Sequence, residues 1–347
     1  MPRRSYNPAM DWSWYLLLVP AAGVASWLAV GRVLAWLRRR AIMDRPNARS
    51  SHTVPVPRGG GIGLMLALLP ALAILWIGRD PAAWGGYAVV VAAAILAAVS
   101  WLDDTRTLSA WPRLAAHILA AAIAVMSLPA GALVAQGLLP LWADRIAAGL
   151  AVVYFINIFN FMDGIDGISG VETLSIGIGT ALTAWVFGPV GSEPLEGLIL
   201  AAAALGWLAW NWHPARLFLG DVGSVPLGFL LGWMLVRLAA DGAWVAALVL
   251  PAYYLTDATL TLARRTLRGE KPWQAHREHA YQRAHQRGLD HARVCVLILG
   301  CNAGLVGLAL AGEAVHWAIG IAGAALLGLG FTIYLRSLRV SAARRAA

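Results

Sequence analysis

Long apolar runs alternate with short polar segments along nearly the whole chain. Runs of that length match the roughly 20 residues that cross a bilayer as helix, and they predict about eleven spans. These lie near Trp12 to Trp36, Gly61 to Gly78, Gly86 to Leu102, Leu114 to Leu128, Ile146 to Phe161, Ile168 to Phe187, Leu195 to Trp210, Val222 to Leu238, Ala243 to Ala263, Val294 to Ala311 and His316 to Leu335. The expected fold is all-α, a polytopic integral membrane protein forming one domain over residues 1–347. Arg3 and Arg4 precede the first run as they would in a signal peptide. That run exceeds the usual length of roughly 7 to 15 residues and ends in Arg38-Arg39-Arg40, so it is read as a retained span.

Composition agrees with the pattern. Apolar residues make up 59% of the 347 and charged ones only 13%, against about 25% charged in an ordinary soluble domain; mean hydropathy is +0.66. A formal charge of +9 raises nucleic acid as a partner, but the charges are placed by topology. Arg38, Arg39, Arg40, Arg45, Arg49, Arg58, Arg106, Arg113, Arg216, the stretch 264–293 and the tail fall on one side; Arg3, Arg4, Arg79 and Arg145 fall on the other. The positive-inside rule then puts the N-terminus outside and the C-terminus and basic loops in the cytoplasm, and no nucleic-acid partner is expected. Tryptophans near run ends (Trp12, Trp14, Trp76, Trp84, Trp101, Trp111, Trp212) fit interfacial belts among membrane lipids. Cys295 and Cys301 have neither disulfide-framework nor zinc spacing.

The acids divide by side. Asp11, Asp80, Asp144, Glu193, Glu196, Asp241 and Glu313 are scattered singly on the outer side, as a solvated rim. On the inner side Asp103-Asp104 ends the third run, Asp163 and Asp166 follow the fifth, and Asp221 precedes the eighth, all at one expected depth. Carboxylates at one interface repel one another unless a cation or basic partners lie between them. The Asp103-Asp104 pair suits a hard divalent ion such as magnesium, or is a polar helix end leaving the membrane. In Asn157-Ile158-Phe159-Asn160-Phe161-Met162-Asp163-Gly164-Ile165-Asp166-Gly167, residues 157, 160 and 163 share one helical face, offering oxygens to a metal or nucleotide. Asp221, between Gly220 and Val222-Gly223-Ser224, is a metal ligand or a helix cap. The largest inner loop carries His276, Arg277, His279 and Arg283, donors for a phosphate or diphosphate.

Other features are ambiguous. Arg58-Gly59-Gly60-Gly61-Ile62-Gly63 is read as close helix packing rather than a phosphate cradle, since no strand is expected before it. The polar segment Asp44 to His52 is a candidate gating loop, and His117 a paired core residue. Asp257, within a span just above Arg264 and Arg265, is equally a salt-bridged structural acid or a site residue.

Taken together and in order, Asp44-Arg45-Pro46-Asn47 with Arg49-Ser50, Arg58-Gly59-Gly60, Asp103-Asp104, Asn157 to Gly167, Gly220 to Ser224 and His276 to Arg283 resemble the polyprenyl-phosphate N-acetylhexosamine-1-phosphate transferases, over about residues 44–283. The resemblance implies transfer of a sugar-1-phosphate from a UDP-sugar to undecaprenyl phosphate at the cytoplasmic face of a bacterial inner membrane, releasing UMP. It implies Mg2+ as cofactor, held by Asn160 and Asp221, with Asp103 and Asp104 as the catalytic pair that positions the lipid phosphate, accepts its proton or completes the metal shell. Asn157, Asp163, Asp166, His276, Arg277, His279 and Arg283 would bind substrate. The loop 276–283 departs from the denser histidine motif of many members that act on UDP-GlcNAc. It is similar to the branch that primes O-antigen synthesis, which adds UDP-FucNAc and UDP-QuiNAc to UDP-GlcNAc as expected donors and argues against a muramyl-pentapeptide donor. Two other classes are open: a polyprenyl-diphosphate phosphatase, and an ion-coupled transporter, whose acids belong near the bilayer midplane.

Overall fold

The computed structural model describes residues 16–44, 46, 54–79, 84–106, 108–187, 194–271, 274 and 276–338. Arg45, Asn47, Arg49, Ser50 and the outer acids Asp11, Asp80 and Glu193 lie outside them.

The chain is helical, as its pattern predicts. In order it forms α1 (Leu18–Arg39), β1 (Met43–Asp44), β2 (Val56–Pro57), α2 (Gly61–Arg79), α3 (Trp84–Arg106), α4 (Ala110–Met126), α5 (Leu141–Met162), α6 (Ile168–Phe187), α7 (Pro194–Asn211), α8 (Asp221–Ala240), α9 (Trp244–Val249), α10 (Ala252–Leu267), α11 (Ala280–Gln286), α12 (His291–Ala314) and α13 (Trp317–Ser337). All but one of the expected runs form a single helix. The run Ala243 to Ala263 is broken into α9 and α10 at Leu250-Pro251, because proline lacks the N–H a helix interior needs and its ring clashes with the preceding turn. Among the described residues seven helices are long and apolar enough to cross a membrane, with Gly61–Ile77 and Ala110–Met126 apolar but shorter.

Helix α8 is the axis of the molecule. Its residues from Val222 to Ala239 are almost all buried, and it packs against α3, α5 and α9. With little hydrophobic drive between helices in lipid, close packing of small residues carries such contacts. A Cβ on Gly61 would stand 2.3 Å from the Cα of Gly223, so α2 and α8 meet backbone to backbone. Packing is therefore the role of this glycine run, as its sequence suggests. The two-residue hairpin of β1 and β2 was not expected. It is continued by an isolated bridge from Arg58 to Phe218, and Gly59 and Gly60 donate to the Phe218 carbonyl at 3.1 and 2.9 Å.

One end of the bundle collects the ends of α3 and α5, the starts of α2 and α8, and the loop before α11. The other end corrects an expectation for two of its described acids, which are not part of a solvated rim. Asp144 is 1% exposed and accepts from the backbone of Val134 and Ala135. Glu196 is 4% exposed and is paired with Arg237 at 3.0 Å. Chain turns and an arginine at that end supply donors, which makes burial of these carboxylates tolerable.

Candidate active site

The start of α8 is built by Gly220, whose φ of +73° is a conformation that favours glycine. A Cβ there would also stand 2.9 Å from Oδ2 of Asp104. With that space open, the carboxylate of Asp104 reaches the first turn of α8 and accepts from the Val222 N–H at 3.2 Å. The other oxygen of Asp104 lies 2.9 Å from Nη2 of Arg58, and Oδ1 of Asp221 lies 3.0 Å from that same nitrogen. Two carboxylates from separate helices thus converge on one cationic position. Asp104 is nearly enclosed, with 5% of its side chain exposed, whereas Asp221 is 24% exposed and open to a ligand.

Helix α5 brings its polar face to the same place. Asn160 donates to Ser224 Oγ at 2.8 Å, one turn beyond Asp221, and Ser224 donates to the Gly220 carbonyl at 3.2 Å. Asp163, the cap of α5, is half-buried and accepts from Ser169 Oγ at 2.7 Å. Burial pushes its carboxyl up to about 6; the Ser169 bond opposes this and the charge of Asp221 adds to it. Asn157, one turn deeper, donates to Val153 O at 2.7 Å, with its amide 3.5 Å from Nδ1 of His117.

Two of the expected residues face elsewhere. Asp103 accepts from the Leu108 N–H at 2.7 Å and from Arg113 at 2.5 Å, which ties the end of α3 to the start of α4. The Asp103-Asp104 pair is thereby divided, because adjacent residues on a helix project about 100° apart and only one can point at α8. Asp166 is held by His213 Nδ1 at 2.6 Å and by the Ala215 N–H at 3.1 Å. Nδ1 of His291 lies 3.1 Å from its carboxylate. Burial raises its pKa, but the bonds from His291, His213 and Ala215 outweigh this and bring it down to about 2. These three side chains could hold a metal by proximity, yet the carboxylate is already met by hydrogen-bond donors, as in a clasp joining two loops and the start of α12.

The loop 276–283 lies against the end of α5: a Cβ on Gly164 would meet Tyr281 Oη at 2.3 Å and Gln282 Nε2 at 2.9 Å. His279 is 1% exposed, caps α11, and stacks on Tyr281 at 5.6 Å. His276, half-buried, accepts the Glu278 N–H on Nδ1 at 3.3 Å. Burial, then the charges of His279 and Arg265, hold its imidazole down at about 4, so it is a neutral ring. Arg283, 42% exposed, is 3.4 Å from Glu278. The carbonyl of Arg277 accepts from Gln286 at 2.8 Å. Beneath them Asp257 is fully buried and receives the Ala280 N–H on both oxygens, at 2.8 and 2.9 Å, with Thr261 at 3.2 Å and Tyr253 at 3.3 Å. Its partners are thus backbone and hydroxyl donors, with His279 Nδ1 3.6 Å away, while Arg265 pairs with Glu270 at 2.8 Å.

Sequence reasoning missed Arg58 as an ion-pairing residue, and also Ser224, His213 and His291. Arg58 carried one signal, a lone cation before a run of glycines. The histidines carried none, since their partner Asp166 is far away in sequence.

The site's chemistry is that of two hard oxygen donors at a helix N-terminus, with amides and a basic loop beside them. A family model described as glycosyl transferase family 4 matches residues 87–239, from α3 through α8. The decaprenyl-phosphate N-acetylglucosaminephosphotransferase of Mycolicibacterium smegmatis is 30% identical over 325 residues, covering 80% of this chain and 77% of that protein. The chain belongs to glycosyl transferase family 4. Its family-4 relatives also include a probable undecaprenyl-phosphate N-acetylglucosaminyl 1-phosphate transferase of Bacillus subtilis, 27% identical over 301 residues and 82% of each chain. A phospho-N-acetylmuramoyl-pentapeptide-transferase of Chlamydia pneumoniae is 27% identical over 248 residues, 60% of this chain and 69% of that one. The family-4 match contains Asp104, Asn160, Asp163 and Asp221, the residues that meet at the start of α8.

Proposed function

We propose that this chain transfers N-acetylhexosamine-1-phosphate from a UDP-N-acetylhexosamine to undecaprenyl phosphate at the cytoplasmic membrane face, releasing UMP and priming a lipid-linked envelope glycan such as O-antigen. The relatives named for polyprenyl-phosphate N-acetylglucosamine-1-phosphate transfer support the reaction type. The observation that carries the reading is the convergence of Asp104 and Asp221 on one cationic position. Hard carboxylate oxygens shared between two helices fit Mg2+, which keeps several waters and completes its shell with substrate phosphates. Asp104 and Asp221 would hold it, with Asn160 one turn away. When bound, the ion neutralises the diphosphate of the UDP-sugar and favours departure of UMP.

This chain's own residues position the reactants. A lipid phosphate oxygen attacks the phosphorus attached to the sugar, a new P–O bond forms, and the bond to the UMP oxygen breaks. Such a reaction depends on in-line placement and charge neutralisation. The Val222 N–H keeps Asp104 aimed at α8, Asn160 and Asp163 face the diphosphate and nucleotide, and the loop of His276, Arg277, His279 and Arg283 closes the sugar side. The positive-inside pattern of the basic loops supports a cytoplasmic setting for this end, and the variant loop 276–283 favours UDP-FucNAc or UDP-QuiNAc beside UDP-GlcNAc.

The test is purified protein with undecaprenyl phosphate, Mg2+ and a panel of UDP-N-acetylhexosamines, scored for UMP and lipid product. UMP in step with lipid-linked sugar supports the reading. Inorganic phosphate without UMP identifies a phosphatase and overturns it.

A further inference from the structure

We propose that Arg58 is a resident cation of this site, which occupies the divalent-ion position in the unloaded protein and moves onto a substrate phosphate when the ion arrives. The inference rests on the transferase reading and extends it to a residue outside the expected site.

Three observations support it. First, one nitrogen, Nη2, lies 2.9 Å from Asp104 and 3.0 Å from Asp221, so the guanidinium stands where an ion bridging those carboxylates would stand. Electrostatically it does the work of that ion, since two carboxylates this close repel when nothing lies between them. Second, the backbone of Arg58 is fixed without its side chain. Its N–H donates to the Ile42 carbonyl at 3.4 Å, it bridges to Phe218, and the next two residues donate to the Phe218 carbonyl. The long side chain can therefore leave while its anchor stays. Third, 41% of that side chain is exposed, so it has somewhere to go.

A second cation entering between Asp104 and Asp221 makes the guanidinium a like charge beside it, and the two compete. Displaced, the guanidinium stays tethered within a side chain's reach of the ion. There its planar fork suits bidentate contact with phosphate oxygens, an interaction that lysine's point charge does not reproduce. The ligand chemistry is thus a phosphate or diphosphate bound beside the ion, drawn either from the nucleotide-sugar or from the lipid.

The experiment uses full-length protein in nanodiscs, with Mn2+ as the probe ion, read by electron paramagnetic resonance in the absence of substrates. Arg58→Met removes the competitor and is expected to bind Mn2+ at least about fivefold more tightly than wild type. Its thermal midpoint in chelator should be lower than wild type's and should recover with the ion. Arg58→Lys retains a cation and should stay near wild type in Mn2+ affinity, which separates competition from misfolding. Separate titrations of UDP-sugar and of undecaprenyl phosphate should show a raised KM for one of them in both variants, naming the phosphate that Arg58 receives. Unchanged or weaker Mn2+ binding in Arg58→Met overturns the proposal, as does an unaltered KM for both substrates. Asp221→Asn is the control. If wild type and Asp221→Asn bind Mn2+ alike, the ion does not sit at Asp221 and the role of Arg58 falls with it, whereas failure of wild type to form UMP and lipid-linked sugar while Mn2+ binding behaves as expected is a failure of the transferase reading alone.

Discussion

The buried carboxylate of Asp257 tests how the loop 276–283 is held. Asp257→Asn keeps shape and volume but replaces one acceptor oxygen with a donor and removes the charge. In wild type the Ala280 N–H is shared between both oxygens, Thr261 donates to one of them and Tyr253 to the other. Hydrogen bonds to a charged group are each worth about 1.5–3 kcal/mol, against about 0.5–1.5 kcal/mol for neutral ones. Weakening the Ala280 bond, together with the loss or reversal of one hydroxyl contact, makes the substitution cost about 2–4 kcal/mol. Asp257→Ala leaves the Ala280 N–H without a partner in a buried place and costs more, about 3–5 kcal/mol. At about 2 °C per kcal/mol for a chain of this size, the Asn variant should melt about 4–8 °C lower. The assay is tryptophan fluorescence on heating in detergent at one fixed scan rate, since large chains often unfold irreversibly. The start of α11 is tied to Asp257, so His279 and Arg283 shift with it, and turnover should fall by more than the folded fraction accounts for. A midpoint within about 1 °C of wild type would refute the idea that Asp257 anchors this loop.

Further outcomes follow from the geometry. Gly61→Ala forces a Cβ to within 2.3 Å of the Gly223 backbone and should cost about 1–3 kcal/mol. Gly300→Ala, on α12 with nothing within 4 Å, should leave the melting midpoint level or raise it by helix propensity; equal losses in the two variants would contradict the packing argument. Asp104→Asn should abolish transfer in the UMP assay, whereas Asp103→Asn, whose carboxylate is engaged by Arg113 and Leu108, should lower stability more than turnover. The raised pKa of Asp163 sets a pH dependence. The fold favours its neutral form, so wild type should lose stability as pH climbs from about 4, the unfolded value, through about 6. Asp163→Asn should not show that loss, and thermal melts across this window in both proteins check it.

The parts of this protein legible in its sequence are those that depend on short range. Runs of apolar residues near bilayer length became helices with ends shifted by a few residues, because span length is set by the membrane. The positions of Asp104, Asn160 and Asp221 at one end could also be anticipated, since each stands at the end of a run. What escaped the sequence depends on contacts between distant segments. Leu250-Pro251 breaks a helix inside an unbroken apolar run. Asp103 and Asp104 look equivalent in the sequence but are separated by helical projection. Asp144 and Glu196 read as solvated because their buried donors come from other segments. The ion pairs of Arg58 need the hairpin, which four strand residues and a bridge to Phe218 create.

The central claim is that this end of the bundle moves a sugar together with its phosphate. It is tested most directly with a UDP-N-acetylhexosamine carrying 32P in its β-phosphate, undecaprenyl phosphate, Mg2+ and the purified chain, followed by extraction of lipid. The account predicts label in the lipid fraction in step with unlabelled UMP, and no such label with Asp221→Asn. Label that stays with UDP in water, or lipid labelling that survives Asp221→Asn, would contradict it.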